Sequence, residues 1–536
     1  MKNPPVFLLF PPGWIYTTGG SNLALPLLKG YLEASGIETY LFDLNIGLSD
    51  YFKIKISNCK IESACEIPSL ENLNKPYYLS QDKMSAIAKP YGATWDIQLG
   101  FNYDGCSFSS SDEIRKFSEF NSPFDSYYDE ELINQVEKLN PSIIGISVCS
   151  AAQLLTTFQI VRILKRTGYS GKIILGGNII TRLEKSFLKD WVFELIDGIV
   201  VFQGEIALSS LYFALQIGKE LDYIPNLIWK KKGEIKKNKI EYLPQKDFGR
   251  PSYVNLSFKS YWGINYIPVL GSRGCYYGKC TFCSIPFAYG NNGFLGHDNP
   301  LSVYDDMVNG FDLSGINNYK FMEEALHPAI LRKLSDKIIS ENFDCEFEGY
   351  ARLDSFWQDE KFLQNISKAG LRKVYLGLEL ITSDKRGLLN KSDSNKALEM
   401  LKKFSDAGIK THIFTLFGYP GTGIEEAVNT IEFVLQNKNL IDTLDIFPFY
   451  YAKHTKVPFI DIINNKAEDW ALEHKYMPAI EEVLTMAQTS ELCYQLEDII
   501  WNEIPKWLHP IYRLYSPWST KESNNNTVIK EQFTYV

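Results

Sequence analysis

Short apolar runs alternating with helix-like stretches recur twice along this chain, and that alternation constrains the fold more than any other feature. The first series has runs at 5–10 (Pro-Val-Phe-Leu-Leu-Phe), 38–43, 143–148, 172–176 and 197–202. Helical periodicity follows at Leu23 to Ser35, stopped by Gly36, then at about 151–167, and again after Gln203-Gly204-Glu205. The second series starts at Tyr266, with runs near 266–272, 318–323, 345–350, 373–378, 409–416 and 441–448. Strands alternating with helices pair in parallel and hold ligands at their carboxyl ends. The expected class is α/β. A doubly wound, flavodoxin- or Rossmann-like sheet spans 1–220, and a hairpin and linker span 221–262. A partial (β/α)6 barrel covers 263–455, with a helical C-terminal region at 456–536. With 536 residues, more than one core is expected.

Three stretches stand apart. Residues 46–128 interrupt the first series, rich in Ser, Asn, Asp and Tyr with little periodicity. They read as an insertion, a candidate substrate-side lid. The Lys-rich stretch from Trp229 to Lys239 surrounds a Lys-Gly-Glu turn between two strand-like runs, and reads as a solvated hairpin. The end, Ser519 to Thr527, reads as a disordered tail.

A net charge of −9 argues against a nucleic-acid partner. No run has the length and apolarity of a membrane span, and no signal-peptide pattern opens the chain, so a cytoplasmic location is expected. Nine cysteines in such a chain do not suggest a disulfide framework, which draws attention to the three that cluster.

They lie in Gly271-Ser-Arg-Gly-Cys275-Tyr-Tyr-Gly-Lys-Cys280-Thr-Phe-Cys283-Ser-Ile-Pro286, just after the first strand of the second series. A loop at that strand end is where barrels of this kind keep their active sites. Three thiolates can hold three irons of a cubane cluster and leave the fourth iron open. Zinc is the rival. His297 could supply a fourth ligand, but no paired Cys/His motif accompanies it.

The segment resembles the signature loop of radical S-adenosylmethionine (SAM) enzymes, usually Cys-x3-Cys-x2-Cys. This chain has four residues between Cys275 and Cys280. The resemblance covers roughly 264–455 and implies a [4Fe–4S] cluster on Cys275, Cys280 and Cys283, whose sulfurs should converge within a few Å. It implies further that Phe282 packs near the adenine of SAM and that Glu323 and Glu324 take the methionine amine. Arg352, in Tyr350-Ala-Arg-Leu-Asp354, would reach the carboxylate. Glu379 would meet the ribose or the amino-acid end, and Gly418 and Pro420, in Phe417-Gly-Tyr-Pro-Gly421, would offer backbone to the adenine. An electron donor such as flavodoxin or ferredoxin would serve the cluster. Each residue alone is equally a strand-end charge or turn; their order along successive strand ends is what supports the transfer.

Residues 1–220 resemble the cobalamin-binding domain that precedes many of these enzymes. The likeness rests on Pro11-Pro12, Leu41-Phe-Asp-Leu-Asn45, Gly145-Ile-Ser-Val148, Leu175-Gly-Gly-Asn178 and Phe202-Gln-Gly-Glu205. It implies cobalamin against Pro12, Ser147, Cys149, Gly176, Gly177, Gly204 and Glu205. Any flavodoxin-like domain needs tight turns at these places too. All six histidines lie at or after His297, so a lower histidine ligand from this domain is excluded.

The resemblance implies methyl transfer to an unactivated carbon of a natural product or peptide. Two other readings stand beside it. One is a cobalamin-independent radical enzyme, such as a peptide epimerase or rearranging enzyme, in which Cys493 or Cys149 would donate hydrogen. The other is a non-catalytic corrinoid or metal sensor.

Overall fold

The computed structural model describes residues 3–13, 22–47, 86–96, 100–256, 258, 266–290, 293–382, 394–455, 457–463, 465–479 and 483–504. It divides into two compact units: Met1–Trp262 with Asn465–Leu472, and Gly263–Asn464 with Glu473–Val536.

The first unit opens with β1 (Val6–Phe10), α1 (Ala24–Ala34) and β2 (Thr39–Asp43). A hairpin of β3 (Ala93–Asp96) and β4 (Gly100–Tyr103) and a helix α2 (Ser111–Phe117) follow. A helical run, α3, comprises Asp125–Tyr127, a π-helical stretch Tyr128–Ile133 and Asn134–Leu139. Then come β5 (Ile143–Ser147), α4 (Gln153–Arg166), β6 (Lys172–Gly176), α5 (Asn178–Arg182) and α6 (Asp190–Leu195). The series closes with β7 (Gly198–Val200), α7 (Glu205–Ile217), β8 (Leu227–Lys231) and β9 (Glu234–Lys237).

The sheet order is β2-β1-β5-β6-β7-β8-β9. Its first five strands are parallel, and the β8–β9 hairpin adds antiparallel to β7. The parallel strands thus follow the flavodoxin-like order. Their apolar runs lack alternation because both faces are covered: every residue of β1 and β5 is buried.

The described part of the 46–128 stretch, chiefly 86–96 and 100–128, is not the loop-like insertion expected. Phe101, Tyr103, Ile114, Phe117, Phe124, Tyr127 and Tyr128 enter the same core as Phe158 and Leu175. Tyr103 packs on Phe101 (5.0 Å) and Phe117 (5.5 Å), and its hydroxyl donates to the Asn121 carbonyl (2.8 Å). A few large rings replace the long periodic run that a sequence reading looks for. Residues 48–85 lie outside the described residues.

The second unit runs β10 (Ile267–Val269), β11 (Ser272–Gly274), α8 (Ile285–Tyr289), β12 (Phe294–His297), α9 (Pro300–Ser314), β13 (Asn318–Phe321) and α10 (Pro328–Ser340). It continues with β14 (Glu346–Ala351), α11 (Glu360–Lys368), β15 (Leu371–Glu379), α12 (Ser394–Asp406), β16 (Lys410–Phe417), α13 (Ile424–Gln436) and β17 (Thr443–Pro448). Strands β10, β13, β14, β15, β16 and β17 pair in parallel in that order, with β10 and β17 as open edges. This is the expected partial barrel.

The C-terminal region differs from the expected run of helices. It holds β18 (Tyr451–Ala452), β19 (Ile460–Ile463) and β20 (Glu473–Pro478), paired antiparallel in the order β18-β20-β19, and one helix, α14 (Met486–Glu503). A capping box between Thr485 and Gln488 starts that helix. Between β19 and β20 the chain leaves for the first unit. There Trp470 is fully buried and stacks on Phe187 (4.3 Å), with Nε1 donating to the Ser186 carbonyl (3.0 Å). Asp469 accepts from the Ser111 amide and pairs with Lys189, both at 3.0 Å. The expected tail lies outside the described residues. Among the described residues no helix is long and apolar enough to cross a membrane.

Candidate active site

The cysteine loop is fixed at its base by two glycines. Gly274 has φ +88°, and a Cβ there would stand 2.0 Å from the Gly293 carbonyl oxygen. Only glycine lets β11 and β12 approach so closely. The same carbonyl accepts from the Cys275 amide (3.0 Å). The loop then turns through Gly278 (φ +61°), bonds the Cys283 amide to the Cys280 carbonyl (3.2 Å), and enters α8. All three thiols are half-buried. Burial pushes the Cys283 thiol up to about 12, with the nearby Glu324, Cys280 and Cys275 adding to the rise. The three thiols are electrostatic neighbours. Even so, no three His, Cys, Asp or Glu side chains among the described residues stand at metal-coordinating geometry. Neutral thiols do not attract one another, so the loop backbone sets their spacing. The donor set, three cysteines on a strand-end loop beside a guanidinium, fits an iron–sulfur cluster.

Arg352 supplies that guanidinium. Its Nη1 stands 3.5 Å from Cys280 Sγ, its Cζ lies 3.5 Å from the Tyr277 ring centroid, and its Nε pairs with Asp354 (3.4 Å). Asp354 in turn accepts from the Tyr276 hydroxyl. Tyr276, Tyr277 and Asp354 were not singled out from sequence, although all three lie inside motifs that were.

The two consecutive glutamates do different things. Glu323 follows the end of β13 and is fully buried, with Oε2 accepting from the Gly271 amide (3.1 Å) and Oε1 unpartnered. Burial pushes its carboxyl up to about 8. Glu324 is close enough to influence Cys283 and Tyr350. Burial raises its carboxyl to about 7, against a hydrogen bond from Tyr289. Glu324 therefore neighbours the cysteine loop, whereas Glu323 ties β10 to β13.

Tyr419, inside the Gly-Tyr-Pro-Gly turn, reaches the loop directly: its hydroxyl is 2.7 Å from Thr281 Oγ1 and its ring meets Phe282 edge-on at 6.5 Å. Gly418 has φ +75°, and a Cβ there would fall 2.3 Å from Thr489 Oγ1 on α14. So Phe282, Gly418 and the cysteines gather in one neighbourhood, with Pro420 in the same buried turn. Glu379 sits where the β15–β16 register shifts, in the left-handed region at φ +63°. That costs roughly 1–3 kcal/mol for a non-glycine residue and is a feature of sites. Cys493 lies one helical turn beyond Thr489, buried, its thiol pushed up to about 12 by burial.

In the first unit the named residues occupy the carboxyl edge of the parallel strands. The Pro12 carbonyl accepts from Thr156 Oγ1 (2.5 Å). Ser147 is buried and Cys149 half-buried, the thiol 3.4 Å from Asn22 Nδ2 and its backbone amide donating to Gln153 Oε1 (2.8 Å). Gly176 has ordinary room, with only the Val200 carbonyl at 3.5 Å. Gly177 has φ +106°, and a Cβ would lie 2.4 Å from the Val148 carbonyl oxygen; at Gly204 it would press Leu28 at 3.0 Å. Packing therefore demands glycine at position 177, while at 204 only a flexible leucine tip would have to give way. Glu205 is buried in the first turn of α7, where a helix N-terminus favours a carboxylate.

Residues 269–434 match the family model of the radical SAM superfamily. Among curated proteins, the chain is similar to a 4'-phospho-dehydrooxetanocin synthase of Priestia megaterium, 23% identical over 60% of this chain and 47% of that protein. An uncharacterised protein of Methanocaldococcus jannaschii is 26% identical over 32% of this chain and 37% of its own length. The match spans less than half of either relative. Among solved structures, the radical SAM methyltransferase TsrM from Kitasatospora setae, with cobalamin and [4Fe–4S] cluster bound, aligns with a TM-score of 0.61 at 15% identity, covering 92% of this chain and 91% of that one. The cobalamin-dependent SAM radical enzyme OxsB, with aqua-cobalamin and SAM bound, aligns at 0.66 and 15% identity, covering 99% and 71%. Residues 269–434 are thus a radical SAM domain, and the chain as a whole has the fold of the cobalamin-dependent radical SAM enzymes.

Proposed function

We propose that this chain is a cobalamin-dependent radical SAM methyltransferase acting on an unactivated carbon of a small molecule or peptide. The observation that carries the reading is the gathering of Cys275, Cys280 and Cys283 with Arg352 and Glu324 at the carboxyl end of a parallel sheet. A [4Fe–4S] cluster held by those cysteines supplies the electron that cleaves SAM reductively, and a corrinoid supplies the methyl group to be transferred. Arg352 then binds the methionine carboxylate, and Glu324 the amine. Phe282, Gly418 and Pro420 frame the adenine, and Glu379 orients the ribose or amino-acid end. Glu323 holds the strand ends in register and stays out of ligand contact. On the first unit, Ser147, Cys149 and Gly176 would offer neutral groups to a corrinoid, and this domain has no histidine to offer it.

The test is anaerobic reconstitution of the full chain with iron, sulfide and hydroxocobalamin. About four irons and one corrinoid per chain are expected, with no nitrogen ligand visible in the corrinoid's electron-resonance spectrum. Turnover should yield S-adenosylhomocysteine alongside 5'-deoxyadenosine. Protein that retains no corrinoid overturns the methyltransferase assignment.

The similarity to a curated protein named as a synthase supports a second reading, a radical enzyme that rearranges its substrate without methyl transfer. It predicts 5'-deoxyadenosine without S-adenosylhomocysteine. A sensor predicts neither product.

A further inference from the structure

One face of the barrel sheet carries a row of aromatic rings that the site described above does not use. Tyr350, Tyr375, Phe414 and Phe447 stand on the four adjacent strands β14 to β17. Tyr350 lies 5.3 Å from Tyr375 and 6.0 Å from Phe414, and Phe414 lies 6.2 Å from Phe447. The planes of Tyr350 and Phe414 differ by only 18°, and those of Phe414 and Phe447 by 27°. The rings form one continuous aromatic tile across the four strands.

Two features set the tile apart from packing. Strands of a parallel sheet are normally buried on both faces. The opposite face obeys, with Val374, Leu376, Ile413 and Leu444 all buried, yet on this face Tyr350 is 37% and Phe447 45% exposed. Moreover, the rings are braced from within. Tyr375 donates to Glu348 Oε2 (2.9 Å), and Glu348 pairs with Lys320 (3.0 Å), whose ammonium lies 4.9 Å from the Tyr375 centroid. His412 meets Phe414 edge-on at 4.4 Å and is held by Thr443 (2.7 Å). These residues brace the rings; the Lys320 and Glu348 charges offset each other and Asp445 faces His412 at 3.5 Å, so what Tyr350 and Phe447 leave exposed is aromatic surface between paired polar groups.

We infer that this tile is the docking floor for an aromatic or heteroaromatic ring of the substrate. The inference rests on the radical-enzyme reading and names the substrate class for it. Arg352 follows Tyr350 by two residues, which places the tile about 7 Å from the layer of Arg352 along the strand. Tyr350 also stands within electrostatic reach of Glu324. A planar ring stacked there is brought to the layer where SAM is held. Offset stacking on neutral rings favours a flat unsaturated partner over a saturated one. A fold relative, TsrM, has been solved with its tryptophan substrate bound.

The experiment is equilibrium dialysis of anaerobically reconstituted full-length protein against L-tryptophan, adenosine 5'-monophosphate and, as a saturated control, glucose 6-phosphate. SAM is measured in parallel. At least one ring-bearing probe should bind, and Tyr350→Leu and Phe447→Leu should each weaken it about tenfold more than they weaken SAM. Phe447→Tyr keeps a ring and should restore binding, which separates stacking from misfolding. If neither ring probe binds, or the sugar phosphate binds as tightly, the inference falls. It also falls if SAM weakens in step with the probe, since the tile is then an adenine floor. Wild-type protein that binds a ring but makes no 5'-deoxyadenosine under reduction sinks the enzyme reading instead.

Discussion

Both units end their parallel strands in glycine-bearing loops, but the two carboxyl edges are loaded differently. In the first unit the edge carries neutral groups: the Pro12 carbonyl, Ser147, Cys149 and Gly176, with Glu205 in the first helical turn behind them. Its least replaceable residues are glycines. Gly13 (φ +126°) and Gly177 would each push a Cβ into backbone atoms of the next strand–helix junction, at 2.7 and 2.4 Å. In the second unit the edge carries three cysteines, two glutamates and an arginine. Burial drives Glu323 up to about 8, Glu324 to about 7 and the Cys283 thiol to about 12. Buried ionisable groups oppose folding, so a fold that keeps several of them in one place keeps them for chemistry. A glycine forced by a backbone contact teaches the opposite. It reports how the sheet closes, and says nothing about a ligand.

Replacement of the cysteines should give the largest effect. Cys275→Ala, Cys280→Ala or Cys283→Ala each should lower reductive formation of 5'-deoxyadenosine by on the order of a thousandfold or more, with iron lost from the protein. A single variant that keeps its iron and a tenth of the activity would falsify the ligand assignment. The matching change in the first unit should act on the fold instead. Gly177→Ala is expected to cost at least about 3 kcal/mol, since it adds left-handed strain to a backbone clash. Thermal unfolding of the full chain reads this out. A Gly177→Ala protein that melts normally but takes up no corrinoid would mean that the glycine serves a cofactor, and the contrast between the edges would vanish.

The parallel strands of both units were legible because their apolar runs are short, β-branched and bounded by turn residues. The cysteine loop was legible because metal-ligand chemistry needs those side chains close in sequence. Residues 93–139 were not, because their elements are short and bury isolated rings such as Tyr103 and Phe124. Nothing local says that Trp470 belongs to the first unit: its partners Phe158, Phe187 and Trp191 are more than 250 residues away along the chain. Glu323 and Glu324 were both assigned to the methionine amine. The strand ends at Phe321, so its alternation does not reach them; what separates them is the hydrogen bond that seals Glu323 against the Gly271 amide, a contact 52 residues away in sequence.

That separation has a pH signature. Glu323 titrates near 8 in the folded chain against an ordinary value of 4.5. The folded state therefore holds the proton more tightly than the unfolded one. The stability this gives is complete below about pH 4.5 and is lost as pH rises through about 8. Glu323→Gln keeps an acceptor for the Gly271 amide without the charge, so its stability relative to the parent should rise between pH 5 and 9, by roughly 4 kcal/mol. Denaturant melts at several pH values measure it. A difference that stays flat across this range would show that Glu323 is not sealed and shares the role of Glu324.

Cys493 should have the smallest effect, and it separates the two enzymatic readings. Its thiol is buried on α14, on the face that carries Thr489 against the Gly418 turn. Burial there suits a small apolar side chain, and Cys493→Ala removes only a sulfur atom from the core, at a cost of about 1 kcal/mol. A methyltransferase needs no hydrogen donor at this position, so product formation per 5'-deoxyadenosine should stay within about twofold of the parent. An epimerase that used this thiol would behave differently: cleavage of SAM would continue while product fell away, because the substrate radical would find no hydrogen to take. Product and 5'-deoxyadenosine, quantified in the same reaction, give the ratio directly. A ratio that collapses in Cys493→Ala assigns the second unit, barrel and C-terminal helix together, to hydrogen return rather than methyl transfer.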